Sequence, residues 1–283
     1  MERTEGRLAR IERRAFHWGF RGRFLARLAL SPRLLLGAPN PRPPILILGC
    51  GHSGTSLLLA LLDAHSRIFG IPFESKFCLR SRTFLRFARG VFDRWAATEG
   101  RQRWVEKTPR HIRRLPLILD ELPEARVIVM VRDGRDVAAS LKGRTGLLLS
   151  GIQRWVHDNT LALPFLSREN VTLVRYEDLV EDPPKTLRRI LAPVGEEFEP
   201  GMLDFHKTKR RIFSARTEKP DRPDGRFHNQ YRNWQINQPI FDGRGRWRSL
   251  ERLERVQVEE IGGRLLRHFG YTRNREWCLE APS

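Results

Sequence analysis

The run Gly51-His52-Ser53-Gly54-Thr55-Ser56 follows the apolar stretch Ile45-Leu46-Ile47-Leu48-Gly49 and leads into a leucine-rich stretch, Leu57 to Leu62. A short strand, a glycine turn and a helix that opens on hydroxyl residues would aim several backbone N–H groups and a helix N-terminus at one point. That arrangement cradles a phosphate. Gly49 and Gly54 have the spacing of the nucleotide-triphosphatase pattern G-x-x-x-x-G-K-[ST], and Ser56 stands at its Ser/Thr position. Thr55 stands where that pattern has lysine. A loop that holds Mg-bound β- and γ-phosphates uses the lysine, so this loop is expected to hold a nucleotide without a transferable γ-phosphate. Taken alone, the stretch also reads as an ordinary strand–turn–helix.

A second group of anion-binding type lies downstream. Arg132 ends the apolar run Arg126-Val127-Ile128-Val129-Met130-Val131, and Ser140 stands eight residues beyond it, about two turns into the helix that Asp133-Gly134-Arg135-Asp136-Val137 opens. A guanidinium at a strand end and a hydroxyl on the next helix can clasp one phosphate. The other reading pairs Arg132 with Asp133 or Asp136.

These residues need a frame at strand ends, and the sequence supplies one. Short apolar runs at 45–49, 102–106, 126–131 and 171–175 alternate with helical stretches near 54–64, 109–120, 134–142, 149–163 and 183–193, and a last amphipathic helix runs near 249–268. The pattern predicts an α/β chain, a P-loop-like doubly wound parallel sheet flanked by helices, with ligands at the carboxyl ends of the strands. Residues 196–245 read as long loops with short helices, and residues 78–101, 143–150 and 205–245 as variable loops around a second substrate. No internal repeat is seen.

Together the two anion motifs resemble those of sulfotransferases that use PAPS (3′-phosphoadenosine 5′-phosphosulfate). The family's 5′-phosphosulfate loop, (R/K/H)-S-G-T-(T/S), is matched by His52-Ser53-Gly54-Thr55-Ser56, with Gly51 before it. Its 3′-phosphate motif, R-(D/N)-P-R-D-V-x-x-S, is matched by Arg132 to Ser140, with Gly134 in place of the usual Pro. Three further stretches look like the bacterial and tyrosylprotein-type branch: Glu106-Lys107-Thr108-Pro109-Arg110-His111, Arg175-Tyr176-Glu177-Asp178-Leu179 and Gly245-Arg246-Trp247. The resemblance spans roughly residues 45–272. Leu57 stands where the cytosolic aryl branch often has tryptophan, which argues against that branch.

The resemblance implies in-line sulfuryl transfer from PAPS to an acceptor hydroxyl (sugar, tyrosyl or small molecule), with release of 3′,5′-ADP and no metal. Lys107 and His52 would meet charge on the transferring group. His52 holds a position usually given to Lys or Arg. Glu74 matches a catalytic Glu and would act as base, its pKa raised by Pro72, Phe73 and Phe77; His111 is the rival base. Ser53, Gly54, Thr55, Ser56, Arg132 and Ser140 would bind the donor's anions, Tyr176 would lie near the adenine, and Arg246 and Trp247 would close over the nucleotide. Arg246 and Trp247 also read as a helix-entry staple onto the core. Glu177 and Asp178 are expected to orient their segment, and His65 to sit in the turn after the first helix.

Bulk properties fit an anion-handling protein. The 283 residues carry a formal charge of +19, mostly from arginine, a field that draws nucleotides, acidic sugars, nucleic acid or anionic lipid. No nucleic-acid motif is present, so specific nucleic-acid binding is not expected. Cys50, Cys78 and Cys278 make neither a disulfide framework nor a zinc pattern. With no apolar h-region at the start and no apolar run of about 18 residues, a cytoplasmic protein is expected. Residues 1–44 read as a separate basic segment with ten arginines against three glutamates, ending in a Pro-rich linker, and the resemblance implies a sulfotransferase domain over residues 45–283. Apolar residues at helical spacing in 1–44 allow peripheral contact with an anionic membrane, or packing on the main domain. Two other functions share the loop: a P-loop nucleotide kinase, and a non-catalytic nucleotide- or polyanion-binding protein.

Overall fold

The computed structural model describes residues 42–79, 81–208, 216–220 and 228–279. Apart from residues 42–44, the basic N-terminal segment and its membrane contact lie outside the described residues, as do parts of the 205–245 stretch. The chain runs through β1 (Ile45–Gly49), α1 (Thr55–Asp63), β2 (Ile68–Gly70), α2 (Arg82–Thr98), β3 (Arg103–Lys107) and α3 (Leu115–Glu121). It continues through β4 (Arg126–Val131), α4 (Gly134–Thr145), α5 (Leu148–Thr160), β5 (Val171–Arg175), α6 (Tyr176–Glu181), α7 (Pro183–Leu191), α8 (His228–Gln235) and α9 (Arg252–His268). The strands pair in parallel in the order β2-β3-β1-β4-β5.

Alternation along the central strands explains why they read as unbroken apolar runs. Leu46, Leu48, Val127 and Val129 face one core with Trp104 and the Leu85, Ala88, Phe92 and Trp95 side of α2. Ile45, Ile47, Ile128 and Met130 face the other, against Leu58, Leu59 and Leu62 of α1 and Leu187 and Ile190 of α7. Each such side chain withdrawn from water contributes about 1.5–3 kcal/mol, so both faces must be covered. A third cluster gathers α4, α5 and α9 around the fully buried Trp155. The strand order reverses at β1, with β3 on one side and β4 on the other. The crevice at the carboxyl ends of these strands is the expected ligand position. Among the described residues no helix is long and apolar enough to cross a membrane.

Five sequence expectations change. Residues 78–101, read as loop, are largely the 17-residue α2. Ser81 caps it, its Oγ accepting from Phe84 N at 3.2 Å, and its buried residues recur at helical spacing. β2 has three residues, too few to show as an apolar run. β3 begins one residue later than expected, which makes Lys107 its last residue, on the same side of the strand as Val105. The stretch 109–120 is a 3-10 turn over Pro109–Arg114 before α3, and 143–150 is divided between the end of α4 and the start of α5.

Candidate active site

The loop after β1 is shaped by backbone conformations that few residues tolerate. Gly49 passes so close to β4 that a Cβ there would stand 2.4 Å from the Met130 carbonyl oxygen. His52 and Gly54 both adopt left-handed conformations, with φ of 73° and 83°. For histidine this costs about 1–2 kcal/mol, and such strain is characteristic of ligand-holding turns. The left-handed turns curl residues 52–54 into a concave nest that leads into α1, whose first turn carries no side-chain cap. Ser53 Oγ is buried without a hydrogen-bond partner among the described residues. An inward hydroxyl left open in a curled loop fits an anionic ligand.

The second motif closes on the first. Ser140 Oγ lies 2.9 Å from His52 Nδ1, which ties α4 to the loop. Arg132 Nη1 donates to the His52 carbonyl oxygen at 3.2 Å, and Nη2 donates to the Gly243 carbonyl. Arg132 also pairs with Asp136 at 3.5 Å, as one of the two sequence readings proposed, yet its Nε is buried without a partner among the described residues. Its guanidinium stacks 4.4 Å from the centre of the Tyr176 ring. Gly134, the departure from the family motif, lies flat on an indole: a Cβ there would stand 2.6 Å from Trp155 Cδ2. Trp155 Nε1 in turn donates to the Arg132 carbonyl at 2.8 Å.

Tyr176 ties the segments of the site together. A Cβ at Gly54 would stand 2.5 Å from its Cδ2, and its hydroxyl donates to the Phe241 carbonyl at 3.3 Å and accepts from Gly243 N at 3.1 Å. Burial raises its pKa, so it stays a neutral phenol. Glu177 accepts from Asp133 N at 2.9 Å and from the Tyr271 hydroxyl at 3.0 Å, which ties the start of α6 to the turn after β4.

The last motif divides. Asp136 accepts from Gly245 N at 3.0 Å and Trp247 N at 3.1 Å, so this segment is fastened to the start of α4. The Trp247 ring covers the buried Arg135 guanidinium at 4.2 Å and meets Trp277 edge-on at 5.4 Å. That is the staple reading of Trp247. Arg246 is exposed, between the two residues that Asp136 fastens to the start of α4.

A charged cluster stands on the other side of the loop. Lys107 Nζ, wholly buried, donates to Glu74 Oε1 at 2.6 Å. Arg232 Nη2, from α8, donates to the same oxygen at 2.7 Å and to Ser56 Oγ at 3.3 Å. Burial pushes the Lys107 pKa down to about 8. Burial by itself would raise the pKa of Glu74, but Lys107 and Arg232 outweigh it and hold the carboxyl well below the usual range. The expected upward shift is therefore reversed. Phe73 packs against Phe92 and Trp95, and Phe77 against Phe92, Trp104 and His111.

His111 is sealed in the core with no exposure, its Nδ1 3.2 Å from Glu106 Oε2. Without access it lacks what a base for an incoming acceptor requires, whereas the Glu74 side chain is 23% exposed. Glu106 also accepts from Ser75 N at 3.0 Å, Ser75 Oγ at 2.7 Å and Thr108 Oγ1 at 2.5 Å, a buried bracket that fixes the strand end after Lys107 against the loop after Glu74. His65 lies in the turn after α1, its Nε2 2.9 Å from the Glu197 carbonyl oxygen.

Arg232, Ser75 and the bracketing role of Glu106 were not picked out from sequence. Two more arginines rim the loop. Arg154 crowds Gly51, where a Cβ would stand 2.8 Å from its Nη2. Arg144 has its pKa lowered by burial and then by the charges of Arg154 and Arg232.

Comparison with known proteins bears on this geometry. Residues 73–200 match a model described as "Sulfotransferase family", a span that includes Glu74, Lys107, Arg132, Ser140 and Tyr176 and begins after the phosphate loop. The chain is 24% identical over 304 residues to "Nodulation protein NoeE" of Sinorhizobium fredii, covering 86% of this chain and 69% of that one. Among solved structures, a mouse sulfotransferase complexed with PAP superposes with a TM-score of 0.54 at 16% identity, over 89% of this chain and 95% of that one. The sulfotransferase domain of the Synechococcus olefin synthase superposes with a TM-score of 0.51 at 19% identity, over 80% and 96%. Those two likenesses show a common fold. The matched span, residues 73–200, makes this part of the chain similar to the sulfotransferase family.

Proposed function

We propose that this chain is a sulfotransferase, which moves a sulfuryl group from PAPS to an acceptor hydroxyl and releases 3′,5′-ADP. The observation that carries this reading is the link between the buried Lys107–Glu74 pair and the end of the phosphate loop, made by Arg232 through Glu74 Oε1 and Ser56 Oγ. The open Ser53 hydroxyl and Arg132 Nε support an anionic donor whose two ends are read separately. Loop N–H groups and the hydroxyls of Thr55 and Ser56 receive the phosphosulfate; Arg132 and Ser140 receive the 3′-phosphate. Tyr176 holds Arg132 and the loop in register, and Trp247 keeps the covering segment in place.

The donor supplies an activated sulfuryl group on a phosphate–sulfate anhydride. Glu74 takes the acceptor's hydroxyl proton as the acceptor oxygen bonds to sulfur. Lys107, with the loop N–H groups, faces the charge left on the bridging phosphate oxygen as its bond to sulfur breaks. A carboxylate base suits an O–H acceptor. Thr55, at the kinase lysine position, offers no charge to a γ-phosphate.

Calorimetric titration of the full chain with 3′,5′-ADP, 5′-AMP and Mg-ATP tests the donor. The expected result is metal-independent binding of 3′,5′-ADP, at least about tenfold tighter than 5′-AMP, with the preference lost in Arg132→Ala. Equal binding of 3′,5′-ADP and 5′-AMP removes this reading, and preferential Mg-ATP binding replaces it with a kinase.

A further inference from the structure

We infer that Arg232, together with Lys107, grips the sulfuryl group being transferred, and that Glu74 holds the place of that group until the donor arrives. The inference rests on the PAPS reading above. It starts from three distances that share two atoms. Arg232 Nη2 lies 3.3 Å from Ser56 Oγ, at the start of α1 beside the nest. The same nitrogen lies 2.7 Å from Glu74 Oε1, and Lys107 Nζ lies 2.6 Å from that oxygen.

In-line transfer sets phosphate, sulfur and acceptor oxygen along one line. The nest fixes the phosphate end of that line and the base fixes the acceptor end. Arg232 spans the two, since one of its nitrogens touches a residue of the nest and the base at once. The group that travels between those ends is the sulfuryl group, with oxygens carrying the charge that a guanidinium recognises.

The convergence of two cations on one carboxylate oxygen gives the second half of the inference. Lys107 and Arg232 come from β3 and α8, far apart in sequence, and meet at a single acceptor atom. An oxygen of the incoming sulfuryl group can take over those contacts. Glu74 is then released from the clamp and its basicity rises, at the moment when an acceptor hydroxyl has a donor to attack. Loading of the donor thus prepares the base.

The loop supplies a reason for a second cation. Its usual Lys or Arg position is His52, whose ring is turned to Ser140 at 2.9 Å. Arg232 reaches the other end of the loop, where the anhydride's sulfate must lie. Its side chain is only 22% exposed, so a truncated variant needs a conservative one beside it.

The test compares two ligands that differ by the sulfuryl group alone. The full chain and its Arg232→Ala and Arg232→Lys variants are titrated with 3′,5′-ADP and with PAPS, and each variant's unfolding midpoint is measured. Arg232→Ala should bind 3′,5′-ADP within about twofold of the parent and PAPS roughly 10- to 100-fold more weakly, as expected for losing one charged contact. Arg232→Lys should recover part of the PAPS affinity and none of the fork geometry. Equal weakening for both ligands would make Arg232 a prop for the loop and overturn the inference, as would no weakening for either. Should Arg232→Ala fail to fold, the PAPS to 3′,5′-ADP affinity ratio of Arg232→Lys decides by the same criterion. A parent chain that binds 3′,5′-ADP no better than 5′-AMP is a different outcome, which removes the donor reading itself.

Discussion

The donor side and the transfer side of the crevice are built from different materials. On the donor side, backbone shape dominates: left-handed residues at 52 and 54, a close pass at Gly49, and an indole that leaves room only for glycine at position 134. On the transfer side, three charged side chains from the 71–76 loop, β3 and α8 meet at one oxygen. A backbone cradle binds anions of fixed shape with little reorganisation. A knot of mobile charges can change partners, as a site must when charge moves from an anhydride to a leaving phosphate. The two sides should therefore respond to substitution in different ways.

The largest effect is expected at Lys107. Lys107→Met should lower turnover roughly 10²- to 10³-fold, the usual cost of losing one preorganised charge, while 3′,5′-ADP affinity changes little. Unfolding in urea should show a loss of stability smaller than that of a fully broken buried pair, because Glu74 keeps Arg232 while methionine avoids burying an ammonium. Equal losses in turnover and nucleotide affinity would erase the distinction between the two sides. The parent carries a pH signature as well. Burial lowers the Lys107 pKa to about 8, so the ammonium is present below that pH and lost above it. Turnover should decline as pH rises through about 8, and Lys107→Arg, whose charge persists, should not show that decline.

This contrast explains which parts of the site the sequence reveals. The loop 51–56 and the Arg132–Ser140 span are contiguous, with residue types dictated by local backbone needs, so spacing exposes them. The strands show for a related reason, since burial on both faces leaves unbroken apolar runs. Arg232 offers no such mark: it is one arginine among many, in a stretch rich in Pro, Gly, Asn and Gln, and its meaning comes from a Glu and a Ser more than 150 residues away. The basicity of Glu74 was misjudged for the same cause. Neighbouring phenylalanines suggested desolvation, but the deciding cations come from β3 and α8. α2 was legible in principle from Leu85, Ala88, Phe92 and Trp95, although arginines between them break the run.

Gly134 tests the donor side with an intermediate effect. A methyl group there meets Trp155 at 2.6 Å, and Trp155 also holds the Arg132 carbonyl. Gly134→Ala should lose about 1–3 kcal/mol of stability in urea unfolding, as overpacked cores do. It should also weaken 3′,5′-ADP binding, since the strain falls on the turn that aims Arg132. Loss of stability with unchanged nucleotide affinity would show that Trp155 supports the core and not the anion site.

The smallest effect is expected at His52, where substitution can separate ring from backbone. At φ 73° most residues are strained and glycine is not, so His52→Gly keeps the curled loop and removes the ring that lies 2.9 Å from Ser140. Relief of left-handed strain and the extra freedom of glycine when unfolded each amount to about 1 kcal/mol and oppose each other, which leaves stability near the parent's. Nucleotide affinity should fall only about two- to tenfold, the worth of one hydrogen bond. His52→Val keeps a side chain but resists the left-handed conformation, and should lose both stability and affinity. If glycine and valine behave alike, the ring and not the backbone organises the loop, and the contrast between the two sides of the crevice must be redrawn around a histidine.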